Sequence, residues 1–257
     1  MKPYYRLFAF ALLMPFYALA QTDYVPGVAV NLSGDTLRGE INYKDWDNNP
    51  KTIRFKNAEG KVLKLGASDI KYFGLTTGRL AEYQRYIGPV SMNPIDIGHL
   101  YQMRDTSIKL DTVFLRVLQK GKNVALLTLS DNFKTRFFIE ESPSTDAKEL
   151  IFRVYLSGEV SNGSNRTVYE NTYQRQLYAL AQKFNVATNK LAATIEKSEY
   201  REDYMLDISG QINNVSAADM KKNNPTKSKP ISIFIAVAAG VLIIIGLIAE
   251  FSGHHHN

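Results

Sequence analysis

Val28, Val30 and Leu32 fall on alternate positions, and so do Leu37, Gly39, Ile41 and Tyr43; Ser33-Gly34-Asp35 lies between the two runs. A period of two is the spacing of a half-buried strand, and Gly and Asp supply the backbone conformations of a turn, so this stretch predicts a β-hairpin. Residues 45–50, Asp-Trp-Asp-Asn-Asn-Pro, form the next turn. A short strand over 52–56, a turn at 57–61 and a partner strand over 62–65 follow. Residues 67–75 read as a further strand with Ile70, Tyr72 and Phe73 inward. From 76 to 104 the chain is punctuated by Gly78, Gly88, Pro89, Pro94 and Gly98, which predicts loops around a short strand at 81–87.

A second strand group covers 108–119, 124–130, 135–141, 149–158 and 166–171, with turns or loops between; helix is the alternative for 149–158. The connections are too short for crossover helices, so the pairing is predicted antiparallel. The period then changes. Tyr173, Leu177, Leu180, Ala181 and Phe184 fall at helical spacing, and Leu191, Ala192, Ile195, Tyr204 and Ile208 predict a second amphipathic helix reaching about Ile212. The fold class is therefore mainly β (α+β). It is an antiparallel β meander or partly open barrel in two halves, 21–104 and 105–171, followed by two amphipathic helices over 172–212 that cover the sheet.

Both ends of the chain depart from this pattern. Residues 1–20 combine Lys2 and Arg6, an apolar stretch over 7–19 and the small residues Ala18 and Ala20, which together read as a secretory signal cleaved before Gln21. Residues 231–249 are nineteen positions without a charge, long enough for a single transmembrane helix. Ala236 and Gly240 are spaced for close helix approach, a hint of homo-oligomerisation. Between domain and anchor, 213–230 is a polar linker with Lys221, Lys222, Lys227 and Lys229, suited to lipid headgroups. A tail of 250–257 closes the chain.

The net charge of +6 concentrates outside the domain. Residues 21–218 hold 25 basic and 23 acidic residues, so the nearly neutral folded part gives little reason to expect nucleic acid. The lysines before the apolar helix conflict with a periplasmic domain under the positive-inside tendency. The signal acts first in synthesis and decides for an inner-membrane protein with its domain in the periplasm; a tail-anchored cytoplasmic protein is the alternative. The absence of cysteine excludes disulfides, thiolate metal sites and a cysteine nucleophile.

Chemistry-bearing motifs are few. His99 is the only histidine outside the tail run His254 to His256, and no nucleophile elbow, zinc-protease motif or phosphate loop accompanies it. A hydrolase would have to work with His99 and Asp/Glu residues. Asp45, Asp47 and Asn49 match the first half of a calcium loop, but Pro50 and Lys56 stand where that loop needs glycine and a bidentate glutamate. No cofactor, metal or catalytic residue is assigned. The candidate motif is structural, comprising Gly34, Asp35, Thr36, Gly39, Trp46, Asn49 and Pro50, with Trp46 expected largely buried at a corner of the sheet.

Residues 28–49 resemble the first Sm-like motif, which would imply RNA binding and a tail-anchored Sm-like protein as an alternative; no nucleotide-binding second half follows. A longer resemblance spans roughly 24–141. Gly34-Asp35-Thr36 with Gly39, Ile41 and Tyr43, Trp46 to Pro50, Ser68-Asp69-Ile70 with Phe73, and Asp111 to Leu115 are similar to an uncharacterised group of Bacteroidota envelope proteins. That resemblance implies a secreted β-rich module and carries no activity. The expectation is a non-enzymatic, membrane-anchored envelope protein whose periplasmic domain binds or scaffolds another envelope protein.

Overall fold

The computed structural model of the 257-residue chain describes residues 24–78, 81–157 and 166–215. The signal segment, the apolar run 231–249 and the four linker lysines lie outside the described residues. Among the described residues no helix is long and apolar enough to cross a membrane.

Ten strands form one antiparallel sheet. They are β1 (Tyr24–Asn31), β2 (Thr36–Asn42), β3 (Thr52–Asn57), β4 (Val62–Gly66), β5 (Ile70–Leu75), β6 (Glu82–Ser91), β7 (Ile108–Gln119), β8 (Val124–Ser130), β9 (Thr135–Glu141) and β10 (Ala147–Leu150). Their order is β10-β9-β8-β7-β6-β5-β1-β2-β3-β4. The pairing of β6 with β7 runs unbroken from Tyr83↔Arg116 to Ser91↔Ile108, so the two strand groups of the sequence share one sheet. The predicted strand at 81–87 extends to Ser91. The region read as one strand over 149–158 is two: β10 ends at Leu150, and β11 (Arg153–Ser157) pairs only with β12 (Arg166–Glu170) in a separate hairpin.

The sheet is mainly a meander, and it rolls. Neighbouring strands lie about 4.8 Å apart, which would separate β6 from β10 by about 19 Å in a flat sheet. Yet the Ser91 amide donates to Glu149 Oε2 of β10 at 2.9 Å, and the Gln84 amide of β6 meets Glu140 of β9, three strands away, at 2.5 Å. The strands β6–β10 therefore curl round Tyr86, Leu115, Leu127 and Phe138. The first and last strands of the sheet, β4 and β10, do not pair, so the barrel is open.

Burial on both faces explains the continuous apolar runs. Leu127 and Phe138 point into the rolled interior, while Leu126, Phe137 and Ile139 point to the other face, where the helices cover them. These helices are α1 (Thr172–Lys183), α2 (Asn189–Glu196) and α3 (Glu202–Ile212). The single second helix predicted from 191 to 212 is thus two. The break at 198–201 turns Tyr200 inward, where its hydroxyl donates to Leu150 O at 2.7 Å and accepts from the Phe137 amide at 3.0 Å.

The N-terminal core gathers Ala29, Ile41, Ile53, Phe55, Phe73, Tyr83 and Phe114. Leu37, Gly39, Ile41 and Tyr43 share that face as the alternation predicts, but in β1 the buried phase is the opposite one. Ala29 is buried against Phe73 and Leu37 across the ladder, whereas Val28 and Val30 are only partly buried and Leu32 is 47% exposed. Small residues occupy the crowded face here, and the larger valines lie outside. Ile70 and Phe73 are buried as expected, but Tyr72 is only half-buried.

Candidate functional site

The hairpin motif resolves into three separate pieces of architecture. At the tip of β1–β2, Gly34 adopts a φ of +105°, which glycine tolerates without strain. Asn31 Oδ1 accepts from the amides of Gly34 and Asp35, both at 2.8 Å. Asp35 Oδ2 accepts from Ser33 Oγ at 2.7 Å and Asn31 Nδ2 at 2.8 Å, and these bonds, led by Ser33, hold its carboxyl below the usual range. Thr36 opens β2 opposite Val30.

Further along, Gly39 admits the β3 backbone, since a Cβ there would stand 2.2 Å from Lys56 O. Trp46 is partly buried and packs against the N-terminal core. Its ring meets Tyr43, Tyr83 and Phe73 edge-on, with centroids at 4.9, 5.9 and 6.4 Å. Asn49 reaches away from the hairpin altogether, to β7 and β8. Its Nδ2 donates to Phe114 O and Thr128 O, both at 2.8 Å. Pro50, half-buried, follows it into β3.

His99 ends a 3₁₀ turn at Ile97–His99, where Asp96 caps the Gly98 amide at 3.1 Å and pairs with His99 Nδ1 at 2.8 Å. Both side chains are strongly exposed, and His99 does not line the cleft described next. Among the described residues no group of three or more His, Asp or Glu side chains could hold a metal ion.

The concave surface lies instead beneath the connection between β6 and β7, residues 92–107. This cleft of about 590 Å³ is lined by Met92, Tyr101, Met103, Arg104, Ser107 and Phe133, with Gln102 and Asp105. A connection of this length is unusual between paired strands. Two bonds close it on itself, the Met92 amide donating to Ser107 O at 2.9 Å and the Ser107 amide to Asp105 Oδ1 at 2.8 Å, and the Leu156 amide of β11 ties it down by donating to Tyr101 O at 2.9 Å. Arg104 grips Glu170 of β12 with Nε at 2.6 Å and Nη2 at 2.9 Å. Glu170 also accepts from Arg153 at 2.8 Å and Thr172 at 3.0 Å. The hydrogen bond from Arg104 leads the causes that draw its carboxyl down to about 2.

A buried polar layer backs this cleft. Arg136 is fully buried; its Nε donates to Ser91 O at 2.8 Å and its Nη1 to Asp131 Oδ2 at 2.9 Å. The guanidinium carbon stands 6.0 Å from the centre of the Phe133 ring. Lys134, almost fully buried, donates to Asn93 Oδ1 at 2.9 Å, and desolvation pushes its ammonium down to about 8. Alternation places Arg136 among polar strand positions and gives no sign that it is buried. Nothing in the aperiodic run 92–107 marks Tyr101, Met103 or Arg104 in advance.

The chemistry on offer is recognition. Tyr101 is 55% exposed, Met103 77% and Phe133 45%, beside the Arg104–Glu170 pair and the buried Arg136. Met and Tyr suit an adaptable apolar contact, and Arg104 adds a cation at its rim. No protein-family model matches the chain, and no curated protein and no solved structure matches it either.

Proposed function

We propose that this is a non-enzymatic binding or scaffolding protein of the bacterial envelope, whose β-rich domain holds a partner protein in the cleft beneath residues 92–107. The observation that carries the reading is the exposure of Tyr101, Met103 and Phe133 around one open concavity. Apolar side chains grouped in this way, on a connection stapled to three separate elements, favour a docking surface over a mobile loop. The leader-like segment 1–20, the apolar run 231–249 and the resemblance to Bacteroidota envelope proteins support a periplasmic domain on a single inner-membrane helix, with Lys221, Lys222, Lys227 and Lys229 near lipid.

The test is a photo-crosslinking residue at position 103 in cells, with the mature N-terminus read by mass spectrometry. A discrete envelope protein captured from position 103, but not from a surface control at position 190, supports the reading. A mature chain that retains Met1, or capture restricted to cytoplasmic proteins, overturns it.

The hydrolase alternative retains one favourable feature, the acidic partner Asp96 at 2.8 Å from His99. It requires a substrate pocket at that turn. An Asp96→Asn variant that lowers a measured hydrolytic rate without changing stability would establish it.

A further inference from the structure

The two ends of the ten-stranded sheet are finished differently. At β10 a helix side chain takes the place of a neighbouring strand: Gln176 of α1 donates to Glu149 O at 2.9 Å and accepts from the Ile151 amide at 2.8 Å. At β4 only the last residue is treated in this way, the Gly66 amide donating to Asp69 Oδ2 at 2.7 Å. From Val62 to Leu65 the outer edge has no hydrogen-bond partner among the described residues. Unpaired strand edges are templates for another strand.

Cations outnumber anions on the face beside this edge. The register sets Arg54 of β3 directly opposite Lys64 of β4, and Lys56 opposite Val62; Arg38 of β2 stands on the same face. Like charges directly opposed across a ladder are unfavourable. Lys56 is relieved by Glu40 at 3.2 Å, whereas Arg38, Arg54 and Lys64 are exposed and have no hydrogen-bond or ion-pair partner among the described residues. Lysine on an edge deters a second copy of the same strand, because antiparallel self-pairing adds further cations to the row. It does not deter a strand of opposite charge. A flat anionic surface would use the cations but leave the edge amides unmet.

We propose that β4 is the docking edge for an extended acidic segment of another protein, which adds as the next strand of the sheet with a carboxylate opposite Lys64 and within reach of Arg54 one strand further in. Main-chain bonds supply the affinity and the cation row selects the sequence. This surface is separate from the cleft and stands whether or not that cleft binds a partner.

The probe is a labelled (Thr-Glu)₅ peptide with (Thr-Lys)₅ as control, titrated onto the full chain by fluorescence anisotropy, with amide hydrogen exchange read over residues 62–65. The expected result is binding of the acidic peptide alone, slowed exchange in β4, and affinity reduced about tenfold by Arg54→Glu with Lys64→Glu. Both substitutions are at exposed positions, and an unchanged thermal midpoint checks the fold. Tyr101→Asp is expected to leave this binding intact while abolishing the crosslink from position 103, which separates the two surfaces. Equal binding of both peptides, or no protection in β4, overturns the proposal. So does charge-dependent binding of phosphatidylglycerol vesicles in preference to the peptide, or a dimer of the chain that itself protects β4.

Discussion

Asn49 and Ser130, 81 residues apart, exchange two hydrogen bonds: the Asn49 amide donates to Ser130 O at 2.7 Å, and the Ser130 amide donates to Asn49 Oδ1 at 3.0 Å. Asn49 thereby behaves as a piece of strand. The ladder between β7 and β8 has its last pair toward this end at Arg116↔Thr128, and beyond it Asn49 fills the opening, its Nδ2 meeting a carbonyl on each strand. The loop after β2 is so fixed to the far half of the sheet. Asn49→Ala leaves several main-chain groups unmet, at about 1–3 kcal/mol for each that stays buried. The expected loss is about 2–4 kcal/mol in denaturant unfolding. Asn49→Asp is expected to lose at least as much, because it turns an acceptor toward two carbonyl oxygens. An Asn49→Ala variant as stable as the parent would show that the bridge contributes nothing net.

Gly121 controls the docking of α3. A Cβ there would lie 2.0 Å from Asn213 Cγ, with the amide nitrogen and oxygen at 2.1 and 2.3 Å. Asn213 occupies that space because its Oδ1 accepts from the amides of Asn123 and Val124, at 3.0 and 2.9 Å, and its Nδ2 donates to Val124 O at 3.0 Å. Gly121→Ala is expected to destabilise by about 1–3 kcal/mol, as overpacking does. Amide exchange in 202–212 should accelerate more than in β1–β5; uniform acceleration would argue against a local docking defect.

What the sequence conveyed, and what it withheld, follows from the range of the interactions. Turn chemistry at Ser33-Gly34-Asp35 and the period of two in β2 are local, and the hairpin is where the residues place it. Parity failed in β1 because the inner face needs small residues under Phe73 and Ile41, so the valines point out. Alternation also misplaces Arg136, whose burial depends on partners at Ser91 and Asp131. The helix break at 198–201 is set by Tyr200 reaching Leu150, fifty residues back. Asn49 looked like turn chemistry because its true partners are two strands whose position no local pattern reveals. The cleft was illegible for the same reason: it exists only where 92–107, β8–β9 and the β11–β12 hairpin meet.

Lys134 makes stability depend on alkaline pH. Desolvation lowers its folded pKa from 10.5 to about 8; Glu149 and Asp131 oppose the shift, while Arg136 and Arg153 add to it. From about pH 8 upward the unfolded chain keeps a proton that the folded chain has released, so stability rises with pH. Above pH 10 the tyrosines reverse the trend, since burial raises Tyr72 to about 12 and Tyr83 and Tyr200 also upward. Denaturant unfolding should therefore show a gain of at most about 3 kcal/mol between pH 8 and 10. Lys134→Met should flatten that rise and leave the later fall. A rise that persists in Lys134→Met would assign it to another group.

Glu170 governs the acid limb. Its carboxyl is drawn from 4.5 to about 2, first by the hydrogen bond from Arg104 and then by Thr172 and Arg153. A folded pKa below the unfolded one contributes stability above the ordinary carboxylate range and loses it as pH falls from about 4.5 to about 2. The pair is partly screened by solvent on the Arg104 side, which is 52% exposed against 18% for Glu170, so the contribution is about 1–2 kcal/mol. Glu170→Gln is expected to lower stability by that amount at pH 7 and to match the parent near pH 2. It also frees Arg104 at the rim of the cleft, so the crosslink from position 103 should weaken at neutral pH even where the domain remains folded. A Glu170→Gln chain that keeps both the acid limb and the crosslink would show that Arg104 is positioned without it.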